Sequence, residues 1–141
     1  ELTGHGITYL EPEGDTAKTK YWMMSDKIST TKEWLGAVSS NWDLVANWNG
    51  AVPTAGESVV IGTSSPNALL INGSRSLGTI EIRNGVTVNT ETGATLTLTG
   101  GPAINGGAGS WNNQGSFNAG TSTVVFTAAN ATMSGLTNFY N

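Results

Sequence analysis

The stretch SLGTIEIRNGVTVNTETGATLTLTG, residues 76–100, alternates apolar and polar side chains in short pulses broken by Gly and Asn. A period of two puts Ile80 with Ile82, Val86 with Val88 and Leu96 with Leu98 on one face of extended chain, as a half-buried strand requires. The same texture spreads outward, to SVVIG at 58–62 and NALLING at 67–73 on one side and to STVVFT at 122–127 on the other. Strands of a few residues therefore recur about every ten, with Asn-Gly turns at 72–73, 84–85 and 105–106. A longer step is superimposed: Ile61 leads to Ile82, and Ala103 or Ile104 leads to Phe126 at a similar interval. Near-regular spacing of this kind points to the stacked coils of a solenoid.

Asn-Gly also serves the tight turns of β-hairpins, so a β-sandwich is the runner-up. Charge favours the solenoid. Only 11% of residues are charged, and none of the last fifty, after Glu91, carries a charge. In a parallel stack like charges would lie directly above one another at about 4.8 Å and repel, whereas ladders of Ser, Thr and Asn do not. The expected fold is all-β: a parallel β-helix with a Trp-rich N-terminal cap.

Three segments follow. Residues 1–33 are strand-poor, with two or three short strands expected, one at Ile7–Leu10, a turn around Pro12 and Gly14 and an aromatic and Met patch at Tyr21–Met24, and fit the end of a preceding repeat. Residues 34–56 form the cap, with a single helical turn in which Trp42, Val45 and Ala46 share a face and Ser39, Ser40 or Asn41 caps the start. Residues 57–141 form the coils.

The composition also excludes. A net charge of −4 without a basic stripe leaves no footprint for nucleic acid. No apolar run approaches the roughly 18 residues of a membrane span, so no membrane insertion is expected. With no cysteine there is no thiolate nucleophile or thiolate metal site. His5 is the single histidine and cannot by itself assemble a triad or a His-based metal site. Glu81 and Arg83, two apart on a strand, should pair on its surface. No catalytic residues and no metal ligands are assigned and the chain is read as a non-enzyme; Glu11, Glu13 and Asp15 are a weak Ca²⁺ candidate, more simply a solvated turn.

Three of the five tryptophans, Trp34, Trp42 and Trp48, fall within fifteen positions. The preferred reading is a lid of large rings over the end of the core. The alternative is a sugar-stacking platform, in which Trp34, Trp42, Trp48, Asn47 and a solvent-facing Trp111 bind a glycan.

Trp34-x-Gly36-x-x-Ser39-x-x-Trp42, then Asn47-Trp48, Pro53-x-x-Gly56 and Val59-x-Ile61, resembles the opening of β-helical repeat modules in large secreted and cell-surface proteins of Bacteroidetes-type bacteria, adhesins and autotransporter-like passengers among them. LGTIEIRNGVTV and the region from Trp111 to Asn141 resemble later parts of the same modules, so the likeness covers about residues 34–141. It departs at Thr127-Ala128, where such repeats carry Gly after the Phe.

The resemblance implies an extracellular structural or adhesive repeat, a stiff spacer and contact surface, whose partners are neighbouring repeats or identical subunits end to end, with host or environmental glycans as further ligands. It also implies that the 141 residues are one unit of a tandem array. Asp15-Thr16-Ala17 resembles the O-glycosylation site of the same bacteria, at Thr16. The other function classes carried forward are a carbohydrate-binding module and the non-catalytic part of a polysaccharide-processing enzyme.

Overall fold

The computed structural model describes residues 7–10, 21–24, 31–62, 64–100 and 110–139. Strands β1 (Ile7–Leu10) and β2 (Tyr21–Met24) pair antiparallel. Every other paired strand belongs to one of three parallel sheets, and the single helical element is one 3-10 turn, among the described residues.

The chain enters the first sheet with β3 (Thr31–Trp34) and then makes three passes through all three sheets in the same order. The first pass is β4 (Ser58–Ile61), β5 (Leu69–Ile71) and β6 (Ser74–Leu77); the second is β7 (Ile80–Ile82), β8 (Thr87–Thr90) and β9 (Thr95–Leu98). The third is β10 (Trp111–Asn113), β11 (Ser116–Asn118) and β12 (Thr123–Phe126), after which β13 (Met133–Gly135) returns to the first sheet. The sheet orders are β13-β10-β7-β4-β3, β11-β8-β5 and β12-β9-β6.

Register explains why these residues sit where they do. Val59, Ile80 and Trp111 stand opposite one another in the first sheet, Leu69, Val88 and Phe117 in the second, and Leu77, Leu98 and Phe126 in the third. Partners in a parallel ladder point to the same side, so alternation within a strand becomes a column across strands. The columns merge into one buried cluster, with Val124 and Phe126 packed against it. Ile61 does stand opposite Ile82. Phe126 belongs to a different sheet from that pair and stands opposite Leu98; Ala103 and Ile104 lie outside the described residues.

Between the columns, polar side chains stack. Thr79 donates its hydroxyl to Ser58 Oγ at 2.8 Å, 21 residues away, and Asn118 Nδ2 donates to Asn89 Oδ1 at 2.8 Å across 29. Ser134 donates to Asn112 Oδ1 at 3.0 Å. These are the uncharged ladders that parallel stacking favours. The longer step between the second and third passes places the extra residues between β9 and β10. Glu81 and Arg83 pair as expected, at 3.0 Å.

The runner-up use of Asn-Gly, as a hairpin turn, is not found at the two described pairs of the three expected as turns. Asn72-Gly73 separates β5 from β6 and Asn84-Gly85 separates β7 from β8, yet each flanking strand lies in a different sheet. Gly73 (φ 59°) and Gly85 (φ 80°) supply the left-handed conformation that turns the chain from one sheet to the next. The expected boundary between residues 33 and 34 falls inside β3, which pairs along its whole length with β4.

Candidate functional site

The two ends of the stack are built differently from its middle, beginning with residues 35–49. Val45–Asn47 forms the 3-10 turn, preceded by Leu44, whose side chain makes no capping bond. The expected α-type face is not formed: Val45 is exposed while Trp42 is buried. Short polar side chains compete for the backbone instead, Asn41 N–H donating to Ser39 Oγ and Asp43 N–H to Asn41 Oδ1.

Asn47 organises the segment. It is fully buried and uses both ends of its amide. Val38 and Ser39 N–H donate to Oδ1 at 2.9 and 3.1 Å, while Nδ2 donates to Ser39 Oγ at 3.2 Å and to the Asn41 carbonyl at 2.9 Å. Its backbone carbonyl accepts from Leu35 and Gly36 N–H, and its own N–H donates to the Leu44 carbonyl. No apolar residue of that size could satisfy so many groups.

Around this hub the three rings interlock. Trp48 lies edge-on to both Trp34 and Trp42, with centroids 4.9 Å apart in each pair. Trp48 Nε1 donates to the Trp42 carbonyl at 2.7 Å and Trp34 Nε1 to the Asn67 carbonyl at 2.9 Å, so neither indole N–H is orphaned. The same segment covers strand edges. Asn49 N–H bonds the Glu33 carbonyl of β3, and Leu70 N–H of β5 bonds the Ser40 carbonyl.

Arg75 completes this end. It stands opposite inward-facing Leu96, so its stem lies on the core side of β6. Its guanidinium sits 5.4 Å from the Trp42 ring centroid and makes a two-pronged pair with Asp43, at 2.7 and 2.9 Å. It also donates to the Asn72 carbonyl and Oδ1.

The Arg75 hydrogen bonds are the main reason the Asp43 carboxyl is held below its ordinary value, against the opposing effect of burial and with further help from the Arg75 charge and Asn72. A depressed folded pKa means stability that is present above the unfolded value, about 3.9, and lost as pH falls through the folded one. The Asp43 side chain is 57% exposed, so solvent screening limits the effect to about 1 kcal/mol or less. Accordingly, Arg75→Met should destabilise the chain at neutral pH, and its gap from wild type should narrow below about pH 4 in thermal melts. A gap independent of pH would show that packing on Trp42 carries the whole effect.

The far end has its own aromatic group. Trp111 packs edge-on against Phe117 at 4.8 Å and at a tilt against Phe139 at 5.3 Å. Its Nε1 donates to Thr137 Oγ1 at 2.9 Å, and Asn113 Nδ2 donates to the same hydroxyl and to the Leu136 carbonyl. Residues 136–139 are thereby fastened across the third pass.

These placements correct the glycan-stacking assignment. Trp34, Trp42, Trp48, Asn47 and Trp111 are each no more than 3% exposed. A sugar ring needs an open indole face, and here those faces are spent on one another and on the core. The hollow beside Trp34, about 230 Å³ and lined also by Pro66, Asn67 and Val86, leaves that ring buried. Nor are the five residues one site: three rings and Asn47 lie together beside β3, whereas Trp111 lies in β10, in the third pass. Thr16, His5 and the acids at 11, 13 and 15 lie outside the described residues.

Among the described residues no group of three or more His, Cys, Asp or Glu could hold a metal ion, and no helix is long and apolar enough to cross a membrane. Sequence reasoning missed Arg75 as a core-side residue, although SRSL already put it on the face of Leu77. Comparison with protein-family models, curated proteins and solved structures found no match.

Proposed function

We propose that the three parallel sheets are the faces of a parallel β-helix, and that the chain is a non-enzymatic structural or adhesive repeat of an extracellular bacterial surface protein. The observation that carries this reading is the repeated visiting of three sheets in one order with matched parallel register. A ladder of backbone bonds on every face, filled by inward columns and joined by polar stacks, resists bending and stretching along the stacking direction. Such a unit holds its ends at a fixed separation. The extracellular and bacterial parts rest on the resemblance of residues 34–141, carried by the Trp34 to Ile61 motif.

Electron microscopy of the native, unproteolysed protein at its source tests this. Long thin fibres with an axial repeat are expected. Compact isolated particles would contradict the spacer and turn attention to a stand-alone binding module.

A further inference from the structure

We infer that Asn84 is a site of spontaneous covalent modification: its side-chain amide is converted, by way of a cyclic imide with the backbone nitrogen of Gly85, to aspartate and isoaspartate.

The chemistry asks three things of an Asn-Gly pair. The amide carbon must be free to turn toward the next backbone nitrogen, solvent base must reach the N–H on that nitrogen, and no Cβ may block the approach. Three Asn-Gly pairs lie among the described residues, at 49–50, 72–73 and 84–85; a fourth, at 105–106, lies outside them. The glycines of the three take φ values of 110°, 59° and 80°, and each has open space where a Cβ would stand. Glycine therefore does not distinguish them. Hydrogen bonds do.

Asn49 Oδ1 accepts the Glu33 N–H at 2.7 Å, and the Gly50 N–H is committed to the Trp48 carbonyl at 2.9 Å. Asn72 Oδ1 accepts from Arg75 Nη2 at 2.6 Å while its backbone carbonyl accepts from Arg75 Nε at 2.8 Å, so one guanidinium holds side chain and backbone together. Asn84 and Gly85 are exposed, and neither the Asn84 side chain nor the Gly85 N–H has a hydrogen-bond partner among the described residues. Their turn is closed from outside the pair, Val86 N–H donating to the Arg83 carbonyl at 3.2 Å, which spends neither group.

The reaction balances with water alone. The Gly85 nitrogen gives its proton to solvent base and bonds to Asn84 Cγ; the Cγ–Nδ2 bond breaks, and that nitrogen takes a proton from solvent and leaves as ammonia. Water then opens the imide. Cleavage of the new bond leaves aspartate at position 84. Cleavage of the original peptide bond leaves isoaspartate, whose chain runs through the side-chain carbon and is one atom longer.

Placement gives the product a consequence. Arg83 N–H donates to the Ile61 carbonyl of the first pass, and the Val86 carbonyl accepts from Ser116 N–H of the third. A longer path between two tied points displaces one of them, so isoaspartate loosens the middle pass where it turns from the first sheet to the second.

Peptide mapping by mass spectrometry, after incubation of the full chain at mildly alkaline pH, tests this; enzymatic methylation of isoaspartate tells the two products apart. In the folded chain Asn84 should convert at least about tenfold faster than Asn49 and Asn72, whose amides must first break a hydrogen bond. In concentrated urea the three rates should converge. Arg75→Met should raise the rate at Asn72 severalfold and leave that at Asn84 unchanged, which separates release of one amide from loss of the fold. Conversion at Asn84 no faster than at Asn49 and Asn72 in the folded chain overturns the inference. The same ranking in urea also overturns it, by placing the preference in the flanking sequence of each pair and not in the fold.

Discussion

Replacing Asn47 by alanine is expected to lower stability by about 2–4 kcal/mol, although the side chain is small and packs no large surface. Its side chain closes hydrogen bonds with Val38, Ser39 and Asn41 from a fully buried position. Alanine leaves those groups facing one another without the amide between them, and the hub that tethers residues 35–39 to the 3-10 turn is lost. Asn47→Asp should be no better: it keeps the acceptor but sets a negative oxygen against the Asn41 carbonyl. Denaturant unfolding followed by tryptophan fluorescence reads this, because Trp42 and Trp48 flank the site. A loss below about 0.5 kcal/mol, the range of ordinary surface changes, would show that the lid is held by its rings alone.

Trp111→Ala is expected to cost about 3–5 kcal/mol, the range for deleting a buried large aromatic side chain. The ring is fully buried, fills the inward column of β10 and holds Phe117, Phe139 and Thr137 together. Trp111→Phe should cost less, since an edge-to-face pair with Phe117 can persist while the bond to Thr137 is lost. The alanine variant should also free residues 136–139, seen as faster amide hydrogen exchange there than in β7–β9. Equal exchange in both regions would mean the third pass does not depend on this ring.

The repeating texture of residues 57–100 was legible because period-two alternation and inward columns are the same fact, seen first along the chain and then across it. Ile61 over Ile82 and the surface pair Glu81–Arg83 followed from spacing alone. The absence of charge also translated into structure, as Ser58–Thr79 and Asn89–Asn118 stacks. Clustering of Trp34, Trp42 and Trp48 signalled a large-ring group, since so many indoles in so short a stretch must cover one another or a ligand.

Less was legible at the ends, where local and long-range forces disagree. The helical spacing of Trp42, Val45 and Ala46 was overridden by turns of Ser39 and Asn41 and by the demands of Asn47. Trp111 sits between Ser110 and two asparagines, which suggested exposure; its burial is decided by Phe117 and Phe139, the latter 28 residues farther along the chain. Arg75 was hidden by its charge. Its stem lies on the core side only because Trp42 and Asp43, both remote in sequence, receive the guanidinium. The strand at 31–34 lies among charged residues and gains its place from β4.

The stacking of passes into a stiff unit is tested most directly by a distance across the first sheet. Glu33, Val60, Glu81, Asn112 and Ser134 stand in one register across its five strands. The chain has no cysteine, so Glu33→Cys/Ser134→Cys accepts spin labels at those two sites alone. Four strand spacings of about 4.8 Å predict a backbone separation of about 19 Å, and pulsed dipolar spectroscopy should return one narrow distribution near that value once the label arms are included. A broad distribution, or one centred beyond about twice that distance, would contradict a rigid parallel stack and the spacer built on it.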